Sequence, residues 1–201
     1  MKLDPFYLIV DSTAWIERLV PLGVKLVQLR IKELDEPALR REIRAAKEIC
    51  ARHGCQLVVN DYWRLAIEEG CDVVHLGQED LTVADRGAIR RAGLKLGLST
   101  HDDAELAIAL AAEPDYVALG PVYPTILKQM KWAPQGLERI ADWKARIGQL
   151  SLVAIGGLNV DRLEGVFGNG ADSAAVATDI TRNPAPERRA RQWLAATERW
   201  R

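Results

Sequence analysis

The sequence lacks several features that would assign it to whole classes of protein. Its 201 residues carry a formal net charge of only −1, so bulk electrostatic attraction does not favour a nucleic-acid partner. No apolar run reaches the length of a membrane-spanning helix. The short apolar run near the N-terminus is interrupted by an acid and a proline, so we expect neither a membrane partner nor a signal peptide.

Cysteine is also scarce. The three thiols, Cys50, Cys55 and Cys71, are odd in number and lack the spacing of a metal site. We therefore expect reduced cysteines in a cytoplasmic protein rather than a structural disulfide. No linker, low-complexity tract or block of like charge divides the chain, so residues 1–201 are predicted to form a single domain.

What the sequence does contain is a short β-branched or apolar run, repeated eight times. Most of these runs are almost continuously apolar, which is typical of parallel strands buried on both faces. The runs are FYLIV (6–10), VKLVQLR (24–30), QLVVN (56–60), DVVHLG (72–77), KLGLS (95–99), DYVALG (115–120), SLVAIGG (151–157) and DSAAVA (172–177).

Helical patterns separate the runs. Apolar residues recur at three- or four-residue steps from Pro37 to His53, Asp102 can cap the helix that follows the fifth run, and a last helix is predicted over 188–200. The segment 11–23 is short, so the first helix should be stunted. Eight strands alternating with helices predict an α/β fold, the (β/α)₈ TIM barrel. A doubly wound open sheet is the alternative, although no G-x-G-x-x-G follows the first strand.

Polar residues gather where the predicted strands end, which is the active-site face of such a barrel. The second run ends in QLRIK, and the strand period points Gln28, Arg30 and Lys32 the same way. Two cations and an amide at the barrel mouth suit a strongly anionic ligand such as a diphosphate. A solvated strand end with salt bridges is the alternative interpretation.

Carboxylates follow the third and fourth runs. Asp61 comes directly after Asn60, and Asp80 closes the cluster Gln78–Asp80. Two carboxylates at neighbouring strand ends can hold Mg²⁺, which proteins bind through one or two carboxylates together with substrate phosphates. Asp61 could instead only cap the helix that begins near Tyr62.

Further candidates for phosphate binding lie at the later strand ends. Ser99 can donate a hydrogen bond to a phosphate, and the long segment 121–135 contributes Thr125 and Lys128. Gly157 ends AIGG, where the backbone can approach a phosphate closely. His101 is a candidate catalytic base, but no nucleophile accompanies it. Residue types alone thus predict a two-phosphate, magnesium-dependent transfer or isomerisation.

The motifs VQLRIK, VVNDYWRLA, VHLGQEDL, GLSTHDDAE, DYVALGPVYPT, KQMKWAPQGLERI and VAIGGL occur in this order along the chain. Together they resemble the thiamine phosphate synthase (thiamine-phosphate pyrophosphorylase) family over nearly the whole length. The resemblance implies a transferase that joins a hydroxymethylpyrimidine diphosphate to a thiazole phosphate with release of pyrophosphate. It also implies Mg²⁺ as cofactor and small-molecule substrates, and it leaves the oligomeric state open, with a homo-oligomer allowed.

The resemblance assigns roles to individual residues. Gln28 would contact the pyrimidine ring, and Asp61 and Asp80 would ligate magnesium. The thiazole phosphate would be held by Thr125, Gly157 and the end of the eighth strand at Thr178. The diphosphate would be held by the catalytic residues Arg30, Lys32, Ser99 and Lys128, together with Asn60.

Two positions depart from the family pattern near the thiazole phosphate. Leu127 stands where the family has a second threonine, and Asp179 places a carboxylate after Thr178, where it would repel a phosphate unless it points away. Two alternative functions therefore stay open: a thiazole tautomerase that needs no metal, and a non-catalytic barrel that binds thiamine precursors.

Overall fold

A computed structural model describes residues 1–125 and 132–201. Its strands are all parallel and close into a barrel in chain order, because the first strand pairs with both the second and the eighth. The strands are β1 Phe6–Val10, β2 Leu26–Leu29, β3 Gln56–Asn60, β4 Val73–Leu76, β5 Lys95–Thr100, β6 Tyr116–Leu119, β7 Ser151–Ile155 and β8 Ser173–Val176. The predicted (β/α)₈ barrel is confirmed, and the open-sheet alternative is wrong.

Helices follow every strand and cover the outside of the barrel. The first is short, as predicted. The α-helices among the described residues are α1 Thr13–Leu19, α2 Glu36–His53, α3 Trp63–Glu68, α4 Gln78–Val83, α5 Arg86–Arg91, α6 Asp103–Ala111, α7 Gly136–Ile147, α8 Leu163–Gly168, α9 Thr178–Thr181 and α10 Pro186–Thr197. Short 3₁₀ turns occupy Val20–Leu22, Val160–Arg162 and Glu198–Trp200.

Local sequence signals set the ends of these helices. The Asp35 and Asp102 carboxylates accept hydrogen bonds from the backbone N–H groups of Ala38 (2.8 Å) and Glu105 (2.9 Å), so each caps its helix. Glycines that precede strands adopt the left-handed conformation predicted for helix C-caps, at positions 54, 70, 93 and 170.

Two apolar layers hold the barrel together. The larger lies between the strands and the helices and includes fully buried Trp143 and Trp193. The smaller fills the barrel interior and includes Tyr7, Tyr116 and Val153. All three cysteines are free and buried, and burial raises the pKa of the Cys71 thiol to about 11. None of the helices in the described ranges is long and apolar enough to cross a membrane.

The seam between β1 and β8 joins the two ends of the chain. Ser173 Oγ donates a hydrogen bond of 2.7 Å to the carbonyl oxygen of Asp4, 169 positions away in sequence. Arg201 forms an ion pair with the Asp4 carboxylate at 3.0 Å, and the ring of Phe6 stacks on Trp193 with 5.5 Å between centroids. The last helix is therefore fastened to the first strand.

Candidate active site

The carboxyl ends of β2, β3 and β4 bring the predicted cations and carboxylates together. Lys32 Nζ lies 2.7 Å from Asp61 Oδ2, and the positive charge of Arg30 acts on His75 of β4, as does the negative charge of Asp61. β2 ends at Leu29, so Arg30 and Lys32 lie beyond the regular strand, whereas Gln28 is inside it and buried. Lys32 and Asp61 thus meet at the barrel mouth, and Arg30 lies close enough for its charge to act on the same histidine as Asp61.

The two predicted metal ligands form a close pair. Burial, the negative charge of Asp61 and a hydrogen bond shared with Asp61 raise the pKa of Asp80. The Asp61 backbone has φ 65°, in the left-handed region that aspartate tolerates better than most residues. The interpretation that Asp61 only caps α3 is wrong, because the N-cap is Tyr62 and the Asp61 carboxylate pairs with Lys32 instead.

Asp80 has a second contact within its own helix. Its carboxylate accepts a hydrogen bond of 3.2 Å from the backbone N–H of Gly77, at the first turn of α4. Glu79, next to it, is exposed. Among the described residues, no three His, Cys, Asp or Glu side chains gather as a complete metal cage, so the carboxylate pair would need oxygen ligands from a substrate.

Asn60, the last residue of β3, has an unsatisfied donor. The residue is 5 % exposed, and its Nδ2 has no hydrogen-bond partner in the described part of the chain. A buried amide without a partner destabilises the folded protein by about 1–3 kcal/mol, so such a group usually meets a ligand or water. An anionic oxygen at the barrel mouth would satisfy it.

A chain of hydrogen bonds crosses the barrel interior below the mouth. Gln28 Nε2 donates to Tyr7 Oη at 2.9 Å, and Tyr7 Oη lies 3.0 Å from Tyr116 Oη. Tyr116 Oη lies 2.9 Å from His75 Nδ1, and His75 Nε2 lies 2.9 Å from Ser99 Oγ. The chain therefore connects two predicted site residues, Gln28 and Ser99, through three side chains that were not predicted to act.

The chain is buried except at Ser99, which is half-buried, and its histidine and tyrosines are held neutral. Burial, with a smaller contribution from Arg30, lowers the pKa of His75 to about 4, so the ring is uncharged near neutral pH. Burial also raises the pKa values of Tyr7 and Tyr116. His75 was interpreted as a satisfied histidine of the barrel interior, and this is confirmed by hydrogen bonds at both ring nitrogens.

Gly97 makes room for the chain. A Cβ at this position of β5 would lie 2.0 Å from Cζ of Tyr116, well inside van der Waals contact. The Tyr116 ring therefore lies directly over the glycine and stacks on His75 with 5.5 Å between centroids. Any larger residue at position 97 would displace the hydroxyl that links Tyr7 to His75.

The β7 and β8 side of the mouth presents mainly backbone. Gly157 has φ 65°, and a Cβ there would lie 2.4 Å from the carbonyl oxygen of Pro124. Thr125, which follows Pro124, therefore lies beside the same turn. Arg162 donates a hydrogen bond to the Gly157 carbonyl oxygen, and its guanidinium lies 4.2 Å from the centroid of the Tyr123 ring. Thr178 is half-buried and begins α9, directly after β8.

Asp179 points away from this side of the mouth. Its carboxylate accepts hydrogen bonds from Arg189 Nε (2.8 Å) and Nη2 (3.0 Å) and from Trp193 Nε1 (2.7 Å), all on α10. Asp179 was expected to repel a phosphate unless its carboxylate pointed away, and the structure shows that it does point away. Asp179 instead ties the last α-helix to the end of β8.

Lys128 and Leu127 lie outside the described residues, so the positions predicted for them are not tested. Residues 132–136, which the structure does describe, are anchored beside the ends of β5 and β6, where the backbone N–H groups of Gln135 and Gly136 donate to the carbonyl oxygens of Pro121 and Val122. Trp132 stacks on His101 with 4.0 Å between centroids, and Gln135 Nε2 donates to the His101 carbonyl oxygen at 2.9 Å. The ring of His101 is itself held in place, because Nδ1 lies 2.6 Å from Glu105 Oε2. His101 therefore anchors this segment through Trp132 and Gln135.

Sequence reasoning missed Tyr7, Tyr116 and Arg162. The two tyrosines were counted only as members of apolar strands, although a buried tyrosine hydroxyl ordinarily needs a partner, and His75 in the fourth run offered one. Arg162 follows the glycine turn by five residues, but its contact with that turn depends on loop geometry that no sequence pattern gives.

A parallel eight-stranded barrel with cations, paired carboxylates and a glycine turn at the carboxyl ends of its strands has the form of the α/β-barrel enzymes, whose active sites lie at that face. The sequence pattern of the family described as thiamine monophosphate synthase matches residues 6–180. A thiamine-phosphate synthase from Rhizobium etli is 73% identical over 201 residues, covering 100% of this chain and 98% of the relative.

More distant comparisons agree. A thiamine-phosphate synthase from Cronobacter sakazakii is 48% identical over 193 residues, covering 96% of this chain and 89% of the relative. A solved thiamine phosphate pyrophosphorylase from Pyrococcus furiosus superposes with a TM-score of 0.86 at 23% identity, covering 98% of this chain and 96% of that one, which shows the shared fold. The chain belongs to the thiamine monophosphate synthase family and is a transferase, as its motifs predicted.

Proposed function

We propose that the chain is a magnesium-dependent thiamine phosphate synthase. It condenses 4-amino-2-methyl-5-hydroxymethylpyrimidine diphosphate with hydroxyethylthiazole phosphate and releases thiamine phosphate and pyrophosphate. The observation that supports this most strongly is the pairing of Asp61 with Asp80 beside Lys32, because the same point offers ligands for a hard cation and a cation for a diphosphate.

The donor set fits Mg²⁺. Two carboxylates close enough to share a hydrogen bond repel each other when both are ionised, and a divalent cation would relieve that repulsion. Asp61 and Asp80 would hold the ion, which when bound would supply positive charge against the diphosphate oxygens. In the described part of the chain, no group of three such side chains is arranged to hold a metal ion, which suits an ion that takes its remaining ligands from substrate and water.

The other side chains of this side would receive the diphosphate. Arg30, Lys32 and Lys128 would counter its charge, and Ser99 and the unsatisfied amide of Asn60 would donate hydrogen bonds to its oxygens. Gln28 would contact the pyrimidine ring. These groups would be aligned before the reaction, so they would stabilise negative charge as it develops on the leaving group.

The reaction is a substitution at the pyrimidine methylene carbon. The bond between that carbon and the diphosphate oxygen breaks, and its electron pair leaves with the pyrophosphate. The ring's amino group stabilises the resulting cation, and the lone pair of the thiazole nitrogen then forms the new C–N bond. The protein would contribute alignment of two rings and stabilisation of the departing charge, and no side-chain nucleophile is required.

The thiazole phosphate would bind on the opposite side of the mouth. Gly157 would let it approach the backbone, and Thr125 and Thr178 would offer hydroxyl groups. Because the Asp179 carboxylate is occupied by Arg189 and Trp193, the departure from the family pattern at this position is compatible with phosphate binding.

The test follows pyrophosphate release from the purified protein with both substrates, with magnesium or with a chelator. The synthase predicts release that requires the metal and both substrates. Exchange between thiazole tautomers without metal would instead indicate the isomerase. Tight binding of both compounds with no release would indicate a protein that binds thiamine precursors.

We infer the remaining properties from the same assignment. The substrates are small molecules, and neither nucleic acid nor membrane takes part. Residues 1–201 act as a single barrel domain, and the protein works in the cytoplasm, where its three thiols stay reduced.

A further inference from the structure

The hydrogen-bond chain from Gln28 to Ser99 contains enough donors and acceptors to fix the direction of every bond. The Gln28 Nε2 group can only donate, so Tyr7 Oη accepts from it at 2.9 Å. Among the described residues, the only acceptor within reach of the Tyr7 hydroxyl proton is Tyr116 Oη, at 3.0 Å. Donation by Gln28 therefore makes Tyr7 the donor to Tyr116.

Donor and acceptor roles can be assigned in the same way at His75. Because Tyr116 Oη accepts from Tyr7, its own proton must go to His75 Nδ1, at 2.9 Å. An imidazole that accepts at Nδ1 carries its proton on Nε2 when neutral, so Nε2 donates to Ser99 Oγ, also at 2.9 Å. Ser99 Oγ is then satisfied as an acceptor, and its proton has no protein partner among the described residues.

We propose that this chain holds the Ser99 hydroxyl as a hydrogen-bond donor into the barrel mouth, and that Tyr7, Tyr116 and His75 are positioning residues acting through Ser99. Together they transmit the orientation of the Gln28 amide to the group that faces an anion. The opposite amide orientation would reverse each bond, place the imidazole proton on Nδ1 and turn the Ser99 proton inward. The chain would then present only a lone pair to an anionic oxygen.

Two features of the structure indicate that the barrel is built to accommodate this hydrogen-bond chain. Gly97 removes the side chain that would collide with Tyr116, and the tyrosine ring stacks on His75. Every residue of the chain lies on a strand, so the bond lengths are set by the barrel and not by a loop. The consequence for the reaction rests on the proposed function, because it assumes that the anion is the departing diphosphate.

The first experiment measures the tautomer directly and requires no activity. The ring ¹⁵N chemical shifts of labelled histidine separate a protonated nitrogen from a bare one, and the signals of His75 are those lost in His75→Gln. We expect a single tautomer with the proton on Nε2. A proton on Nδ1, a doubly protonated ring or a mixture of tautomers would overturn the proposal, whether or not the protein is a synthase.

Two matched variants then test the direction. Tyr116→Phe removes the hydroxyl that donates to Nδ1, so the single tautomer should be lost. Tyr7→Phe removes the hydroxyl that fixes the direction of the Tyr116 hydroxyl, so the single Nε2 tautomer should give way to a mixture. Retention of the single tautomer in either variant would contradict the proposed transmission through these two hydroxyls. If Tyr116→Phe does not fold, the first experiment and Tyr7→Phe still decide the matter.

A double-mutant cycle tests whether Tyr116 acts through Ser99. With both substrates, Tyr116→Phe should lower kcat about tenfold, the usual effect of weakening one hydrogen bond to a charged group. In the Ser99→Ala background the same substitution should cause no further loss. A merely structural role would give equal losses in both backgrounds, and that result would overturn the positioning role. A wild-type protein without turnover would count against the proposed function alone, because the His75 tautomer is measured without substrates.

Discussion

The two sides of the barrel mouth differ in what they offer a ligand. The side formed by β2, β3 and β4 presents Arg30, Lys32, Asp61 and Asp80, and we call these four residues the charged wall. The side formed by β7 and β8 presents Gly156, Gly157 and Thr178, which we call the backbone wall, and the carboxylate of the adjacent Asp179 is turned toward α10. One side thus presents charged side chains, and the other presents mainly backbone.

The two walls differ in charge and in the space they leave for side chains. The charged wall combines both signs in close contact, as in the 2.7 Å ion pair between Lys32 and Asp61, and under the proposed function these side chains would bind a metal and a diphosphate. The glycines of the backbone wall have no room for a Cβ, and under the proposed function this bare backbone would lie against a phosphate. The two walls should therefore fail differently when mutated, which the following substitutions test.

The largest effect is expected for Asp80→Asn. The amide can still accept from the Gly77 N–H, but it is a weak magnesium ligand, so turnover should fall about a hundredfold or more with little change in stability. Pyrophosphate release and thermal unfolding measure the two quantities. Glu79→Gln removes the same charge from the exposed neighbouring position and should leave both unchanged. If Asp80→Asn unfolded enough of the protein to account for its lower turnover, the assignment of a metal ligand would be contradicted.

The next largest effect is expected for Gly157→Ala. The added Cβ would meet the Pro124 carbonyl oxygen in a left-handed backbone, so the turn must shift, with a strain on the order of 1–3 kcal/mol. We expect KM for the thiazole phosphate to rise about tenfold or more while KM for the pyrimidine diphosphate changes little, because the strain is confined to one wall.

Gly168→Ala is the matched control, since a Cβ there meets no heavy atom within 4 Å. Steady-state kinetics with each substrate varied in turn gives the comparison. If both KM values rose together in Gly157→Ala, the division into two walls would be wrong.

A smaller effect is expected for Lys32→Gln. The side chain of Lys32 is 52% exposed, so its ion pair with Asp61 should contribute at most about 1 kcal/mol to stability. KM for the pyrimidine diphosphate should nevertheless rise about tenfold, because a cation that faces the anion is removed. Lys25→Gln removes an exposed lysine at the other end of β2 and should leave this KM unchanged. An unchanged KM in Lys32→Gln would remove this residue from the charged wall.

The smallest effect on turnover is expected for Asp179→Asn. The substitution weakens the contacts with Arg189 and Trp193, so stability should fall by about 1–3 kcal/mol, which is a few degrees in melting temperature. Turnover and both KM values should stay within about twofold, because no charge at the mouth changes.

Arg189→Gln should destabilise the protein similarly, and the double variant should lose less stability than the sum of the two. Denaturation and kinetics on the three variants check this. A rise of KM for the thiazole phosphate in Asp179→Asn would show that the carboxylate serves the site after all.

Sequence could predict the barrel and the charged wall for the same physical reason. Buried parallel strands need continuous apolar runs, and charged residues directly after such runs must emerge at the carboxyl ends of the strands, as Asp61 and Lys32 do. Each of these inferences depends only on chain order and residue type. The capping roles of Asp102 and of the glycines before strands were equally local.

What sequence could not give were contacts between distant segments. The direction of Asp179 depends on α10, and the fit of Gly157 depends on Pro124, more than thirty residues earlier in the chain. The interior chain requires Tyr7, Tyr116 and His75 to meet, although no motif unites them. Such contacts follow from barrel closure and register, which a one-dimensional pattern does not specify.

Barrel closure also sets the order in which the molecule can form. The bond between Ser173 and Asp4 spans 169 positions, so β1 has no partner on one edge until β8 exists. During synthesis on the ribosome that apolar edge emerges first and is sealed last, a high-contact-order step that is slow and exposes the chain to aggregation. The contacts from α10 to Asp179 and from Arg201 to Asp4 can form only after the last residues have been synthesised, so a nascent chain has to remain unaggregated until then.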